Sequence, residues 1–236
     1  MRSWLITAAV LILVGALLIG ATLWALGGDF SRLSSTPYQT NVHTPDGKFS
    51  DLTLLTSTAD VTVLPHDEGT AKVVCVEHPK RAHAVTVAND TLIIEEQDTR
   101  KWYEHLSVGF ATSVTVYLPR QDYDTFRLQL STGNVTLQDL HLRTLDLSLS
   151  TGDSYLSAVL VDGPLTLTAS TGDVLLEACD ASDIEIQTST GDVKGSFLTD
   201  KAFLATSSTG RVTVPATEGD PCRITASTGD IHFSAP

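Results

Sequence analysis

An all-β fold is what this sequence predicts: a single-stranded parallel β-helix, or β-solenoid, of about 19-residue right-handed coils behind one N-terminal transmembrane helix. Three observations predict it. Ser-Thr-Gly recurs at Ser131, Ser150, Ser170, Ser189, Ser208 and Ser227, in steps of 19, 20, 19, 19 and 19 residues. Between these marks, apolar residues fall on alternate positions and no stretch has helical spacing long enough for a crossover helix. Residues 3–28 carry no charge at all.

In chain order, the charge-free stretch comes first. Trp4 to Leu26 is long enough to cross a bilayer, and Trp4 and Trp24 would lie about 30 Å apart on a helix, at the two interfaces. A cleaved signal peptide is the alternative, but the apolar run is too long and no Ala-x-Ala site follows. Arg2 on the short side places the N-terminus in the cytoplasm and the repeats outside, on the cell membrane. Residues 29–50, rich in Ser, Thr, Pro and Gly, read as a flexible tether. Residues 51–236 read as the solenoid, with irregular coils over 51–120 and regular repeats over 121–236.

Within 51–120, Ser57-Thr58-Ala59-Asp60-Val61 is a degraded copy of the repeat. Lys72–Val76, Ala84–Val87, Thr91–Ile94 and Ser113–Tyr117 are short strands, with a hairpin turn at Asn89-Asp90. Residues 97–107 break the pattern with Arg100, Trp102 and Tyr103, the aromatic and basic cluster outside the membrane span. These three are the candidate partner-binding residues. The alternative is a loop whose Trp folds back as a cap.

In the regular repeats, Gly133, Gly152, Gly172, Gly191, Gly210 and Gly229 hold the same position, which predicts a corner at positive φ. The next position is Asn134, Asp153, Asp173, Asp192, Arg211 and Asp230, residues that stabilise tight turns. Stacked coils put these acids in one column about 4.8 Å apart. Calcium could bind there, but Arg211, expected between Asp192 and Asp230, supplies a cation of its own, so the column reads as structural. The Thr column beside it suits an ice-binding face or, more simply, a hydrogen-bonded ladder.

Cys179 aligns with Leu140, Val159 and Leu198, and Cys222 with Leu145, Ile184 and Phe203, so both read as buried apolar groups in different columns. Cys75 lies in an apolar strand. The seven histidines are scattered, and no spacing predicts a metal or a cofactor. No nucleophile, nucleotide or dinucleotide motif occurs, so no catalytic residue is predicted. The net charge of −13 repels nucleic acid. The last coil breaks off at Pro236, which predicts a bare edge and self-association through that coil.

The phrase Ser113-Val114-Thr115-Val116-Tyr117-Leu118-Pro119, followed by serial Ser-Thr-Gly-Asp-Val units, resembles the bacterial β-strand-repeat family of adhesin-like proteins. The resemblance covers roughly residues 50–236. It implies a membrane-anchored envelope protein that binds a protein or a cell surface without catalysis. Some members are encoded beside envelope-stress systems, which implies a second reading, a regulator of such a system. A glycan-active β-helix enzyme is the third, and it needs a carboxylate cluster that the sequence does not show.

Overall fold

Among the described residues, sixteen strands make up one sheet that winds into stacked coils. The computed structural model describes residues 12, 14, 15, 38–99 and 112–235. The predicted transmembrane span, the tether up to residue 37, and Arg100, Trp102 and Tyr103 lie outside those residues, apart from Ile12, Val14 and Gly15. No helix among the described residues is long and apolar enough to cross a membrane. The strands are β1 (Gln39–His43), β2 (Asp51–Thr58), β3 (Asp60–His66), β4 (Lys72–Glu77), β5 (Arg81–Ala88), β6 (Thr91–Asp98), β7 (Ser113–Pro119) and β8 (Asp122–Thr132). They continue as β9 (Val135–Thr151), β10 (Ser154–Thr171), β11 (Val174–Thr190), β12 (Val193–Phe197), β13 (Lys201–Thr209), β14 (Val212–Thr213), β15 (Asp220–Thr228) and β16 (Ile231–Ser234).

The period of two is what winds the coil. In β9 the inward residues are Val135-x-Leu137, then Leu140-x-Leu142, then Leu145-x-Leu147-x-Leu149, all buried. Each break in the alternation is a bend that keeps the apolar face inside. β9, β10 and β11 lie parallel and in register, Leu147 on Leu167 on Ile186. Each coil therefore buries the face that its neighbour could not bury alone. The one 20-residue step is absorbed where the β9–β10 register shifts, at Gly163. A Cβ there would meet the Arg143 carbonyl oxygen at 2.7 Å.

The six corner glycines sit one over the next at φ between +132° and +153°. Gly152 donates its N–H to the Thr171 carbonyl, and Gly172 donates to that of Thr190, each at 2.9 Å. The degraded copy stacks beneath them, since Ala59 donates to the Thr132 carbonyl at 3.1 Å.

The coils do not stack in chain order, which corrects the expectation of a copy above and below in sequence. β11 pairs β15, and β15 pairs β13. β12 pairs β16, and β16 pairs β14. Residues 220–234 are thus inserted between the coil of β11 and β12 and the coil 201–213. Burial explains the order. Cys222, Ile224, Ala226, Ile231 and Phe233 are all at most 3% exposed in the inner coil. The outer coil has Ser207 on its inward side and leaves Val212 38% exposed, so the more apolar coil takes the interior. The bare edge predicted for the last coil is corrected accordingly, since β15 and β16 are each paired on both sides. Among the described residues, β13 and β14 each pair on one side only, so the open edge at this end of the stack is theirs.

The other end is built differently from the expected irregular coils. β2–β3 and β6–β7 form coils, with β6 on β2 and β7 on β3 in parallel. Asn89 and Asp90, at φ +51° and +64°, make the predicted hairpin turn. β5 therefore runs antiparallel on β6, and β4 antiparallel on β7. β1 pairs antiparallel with β4, so residues 39–43, read from sequence as tether, are a strand that covers the edge of β4.

Candidate binding groove

Two adjoining depressions of about 510 and about 330 Å3 share Pro119, Gln121 and Asp122. The larger is walled by the 44–50 turn and Gly69–Ala71. The smaller runs past Arg120 to Asp139, His141 and Leu160. The coil period assembles its charges. Residues 19 apart share a column, so Asp122 lies beside His141 in the β8–β9 register, and Leu160 flanks His141 on the other side.

His141 is bracketed by two carboxylates. Its Nδ1 is 2.7 Å from Asp122 Oδ1 and its Nε2 is 3.0 Å from Asp162 Oδ1. Ionised carboxylates only accept, so both ring nitrogens donate and the ring is an imidazolium. The hydrogen bonds to Asp122 and then Asp162 push its pKa above the ordinary histidine value. Arg120 Nη1 donates to Asp139 Oδ2 at 2.5 Å and its Nε to Asp67 Oδ1 at 3.3 Å. Tyr123 closes the floor, its hydroxyl donating to the Pro119 carbonyl at 2.8 Å. Burial pushes the Tyr123 phenol well above its usual range. Two cations are thus paired with four carboxylates, of which Asp122 and Asp139 line the smaller depression. Such a groove suits a polar ligand with hydrogen-bond donors.

The glycines and acids singled out in the sequence form the coil corner. The acid column is a hydrogen-bonded ladder: Asp173 donates its backbone N–H to Asp153 Oδ1, Asp192 to Asp173 Oδ1, and Asp230 to Asp192 Oδ1, each at 2.8 Å. Asn134 continues it, accepting from the Asp153 N–H and donating its own N–H to Asp60 Oδ1, each at 2.8 Å. Arg211 does not fall between Asp192 and Asp230. It ends the ladder, donating its N–H to Asp230 Oδ1 at 2.7 Å. Repulsion between stacked carboxylates is offset by an N–H on every step, and at Asp192 by the Lys194 ammonium at 2.7 Å.

All three cysteines are buried and unbridged. Cys222 stacks between Ile184 and Phe203. Cys179 stacks on Phe197 rather than Leu198, because the register shifts after Leu176 and Leu198 turns outward. Sequence reasoning missed the groove residues Arg120, Asp122, Asp139, His141 and Asp162 as a group. The 19-residue offsets of Arg120 from Asp139 and of Asp122 from His141 are the signal that would have found most of them.

Among solved structures, the chain is similar to a candidate cell adhesion protein from Clostridium sporogenes. That match has 13% identity and a TM-score of 0.50, covering 84% of this chain and 100% of that one. A candidate adhesin from Bacteroides fragilis is 16% identical over 85% of this chain and 98% of its own, with a TM-score of 0.48. A candidate lipid-binding protein from Parabacteroides distasonis is 15% identical over 85% and 98%, with a TM-score of 0.37. No curated protein matches the chain. At these identities the likeness to the Clostridium sporogenes protein speaks for the fold alone. The Toastrack DUF4097 family model matches residues 49–236, and the chain belongs to that family.

Proposed function

We propose that this protein is a non-catalytic interaction module of the cell envelope. In this reading a single transmembrane helix anchors a right-handed parallel β-helix outside the cytoplasm, and the coils hold a protein or cell-surface partner. The adjoining grooves around Asp122 carry the reading. They form an open, polar surface on a scaffold whose every coil is fixed by ladder hydrogen bonds, and they present acceptors rather than a nucleophile with its base. The name of the Clostridium sporogenes protein, a candidate in cell adhesion, agrees with it.

Arg100, Trp102 and Tyr103 remain the second proposed contact. The test is capture of partners from envelope extracts by the full chain, comparing wild type with Trp102→Ala and with a paired Arg120→Ala, His141→Ala variant. The proposal expects a discrete set of partners that one of the variants loses. A capture profile unchanged by both variants overturns it. Self-association moves from residues 220–234 to the outer edge of β13, where Leu204 is 58% exposed. Placing Pro at Thr206 should then return any dimer seen by size exclusion to monomer.

A further inference from the structure

The antiparallel cap buries a second cluster that the groove does not use. Cys75, Glu77 and His83 are at 0%, 0% and 3% exposure, and one ligand atom of each lies within 4.8 Å of the other two. Alternation puts Val73, Cys75 and Glu77 on the inward side of β4, and the β4–β5 turn brings His83 back against them. A carboxylate inside an apolar cap is costly unless it is paired. Here Glu77 accepts from Asn41 Nδ2 at 2.6 Å, from the His83 backbone N–H at 2.7 Å, and from His83 Nδ1 at 2.8 Å.

The other face of the imidazole is fixed as well. His83 Nε2 is 3.1 Å from Thr56 Oγ1, and that hydroxyl donates to Glu96 Oε2 at 2.8 Å. Its one proton is therefore spent on Glu96, so Nε2 donates to Thr56. Arg81 holds Glu96 from the far side. A histidine whose outer nitrogen is tied to a hydroxyl that is itself held by a carboxylate, while its inner nitrogen meets a second carboxylate with a thiol within 4.8 Å of the group, has the outer-shell arrangement of a metal ligand.

We propose that Cys75 Sγ, Glu77 Oε2 and His83 Nδ1 bind one divalent transition metal ion, zinc by ligand chemistry. Sulfur, imidazole and a single carboxylate together match zinc and disfavour calcium or magnesium, which take oxygen alone. Thiolate, carboxylate and neutral imidazole carry two negative charges, which one divalent ion neutralises without leaving net charge in the cap. Binding displaces two protons, one from the thiol and one from Nδ1, and both go to solvent. Three ligands leave a fourth position for water. Thr56 is a positioning residue. β1, which brings Asn41 to Glu77, is the strand that must yield for entry.

The test is the full-length chain, produced in zinc- or cobalt-supplemented medium and purified without chelator. The readouts are metal per chain by elemental analysis and the absorption spectrum of the cobalt form. The proposal expects close to one ion per chain and a sulfur-to-cobalt charge-transfer band. Cys75→Ser should abolish the band, and the Cys179→Ala, Cys222→Ala double variant should keep both band and ion. Thr56→Val should keep the band and weaken metal affinity about 10- to 100-fold. Wild type without stoichiometric metal, metal without the band, or a band that survives Cys75→Ser overturns the proposal. The wild-type spectrum and the double variant decide the question even where Cys75→Ser fails to fold.

Discussion

Asp230 donates its backbone N–H to the carboxylate of Asp192, 38 residues away, where the steps before it in the ladder span 19 or 20. That one hydrogen bond marks the place where the stack leaves chain order. Ile224, 0% exposed in the inserted coil, then sits deeper than Val212, which comes earlier in the chain. Ile224→Ala should cost about 2–5 kcal/mol. Val212→Ala should cost under about 1 kcal/mol. Urea unfolding of the two variants checks this, and equal costs would refute the inserted order.

The corner has no room for a side chain. Gly172 is at φ +138°, and a Cβ there would lie 1.9 Å from the Gly152 carbonyl oxygen. Gly172→Ala should destabilise by more than about 3 kcal/mol, because backbone strain and a clash between neighbouring backbones add. Ala178 is the reverse case. At φ +51° it holds a left-handed bend with a Cβ, so Ala178→Gly should be neutral or stabilising by up to about 1 kcal/mol. Thermal unfolding of both variants gives the signs.

Acid should loosen the cap. Burial alone would raise the Glu96 carboxyl, but hydrogen bonds from Arg81, the Ser57 N–H and the Thr56 hydroxyl hold it down at about 2. A depressed folded value means the stabilisation is complete above the unfolded carboxyl range and is lost as pH falls towards 2. The full contribution is on the order of 3 kcal/mol. Glu96→Gln should therefore be much less stable than wild type at neutral pH and nearly equal to it at the acid end. A gap independent of pH would contradict this.

Base should loosen the groove. Asp122 and Asp162 raise His141, so its contribution is complete below the ordinary histidine value and disappears as pH climbs through the raised one. The ring is exposed, and salt should shrink the effect. NMR titration of the His141 ring should give a midpoint above that of unfolded histidine, and Asp122→Asn should bring it down.

The Gly column, the strands and the Asn89-Asp90 turn were legible because each asks for something only certain residues supply: positive φ, a half-buried face, a two-residue reversal. Coil order was not legible. Ser208-Thr209-Gly210 and Ser227-Thr228-Gly229 are the same corner in sequence, and only the apolarity of Ile224, Ile231 and Phe233 against Ser207 and Val212 decides which goes inside. The bends at Asp139, Ala158 and Ala178 were hidden for a related reason, since no glycine marks them. Of the groove, the 19-residue offsets were readable once the period was known. The cap cluster was not, because antiparallel pairing rather than the repeat brings Cys75 and His83 together; its one trace in the sequence is an acid, Glu77, closing an apolar strand.

The interleaved stack also constrains how the chain can be assembled. Residues 201–213 leave the ribosome before residues 220–234, yet in the finished molecule they form the storey above them. Storey-by-storey growth can proceed as far as Phe197 and then has to stop. The next segment must stand aside, unroofed, until the later one has slid beneath it, and only then does the roof come down.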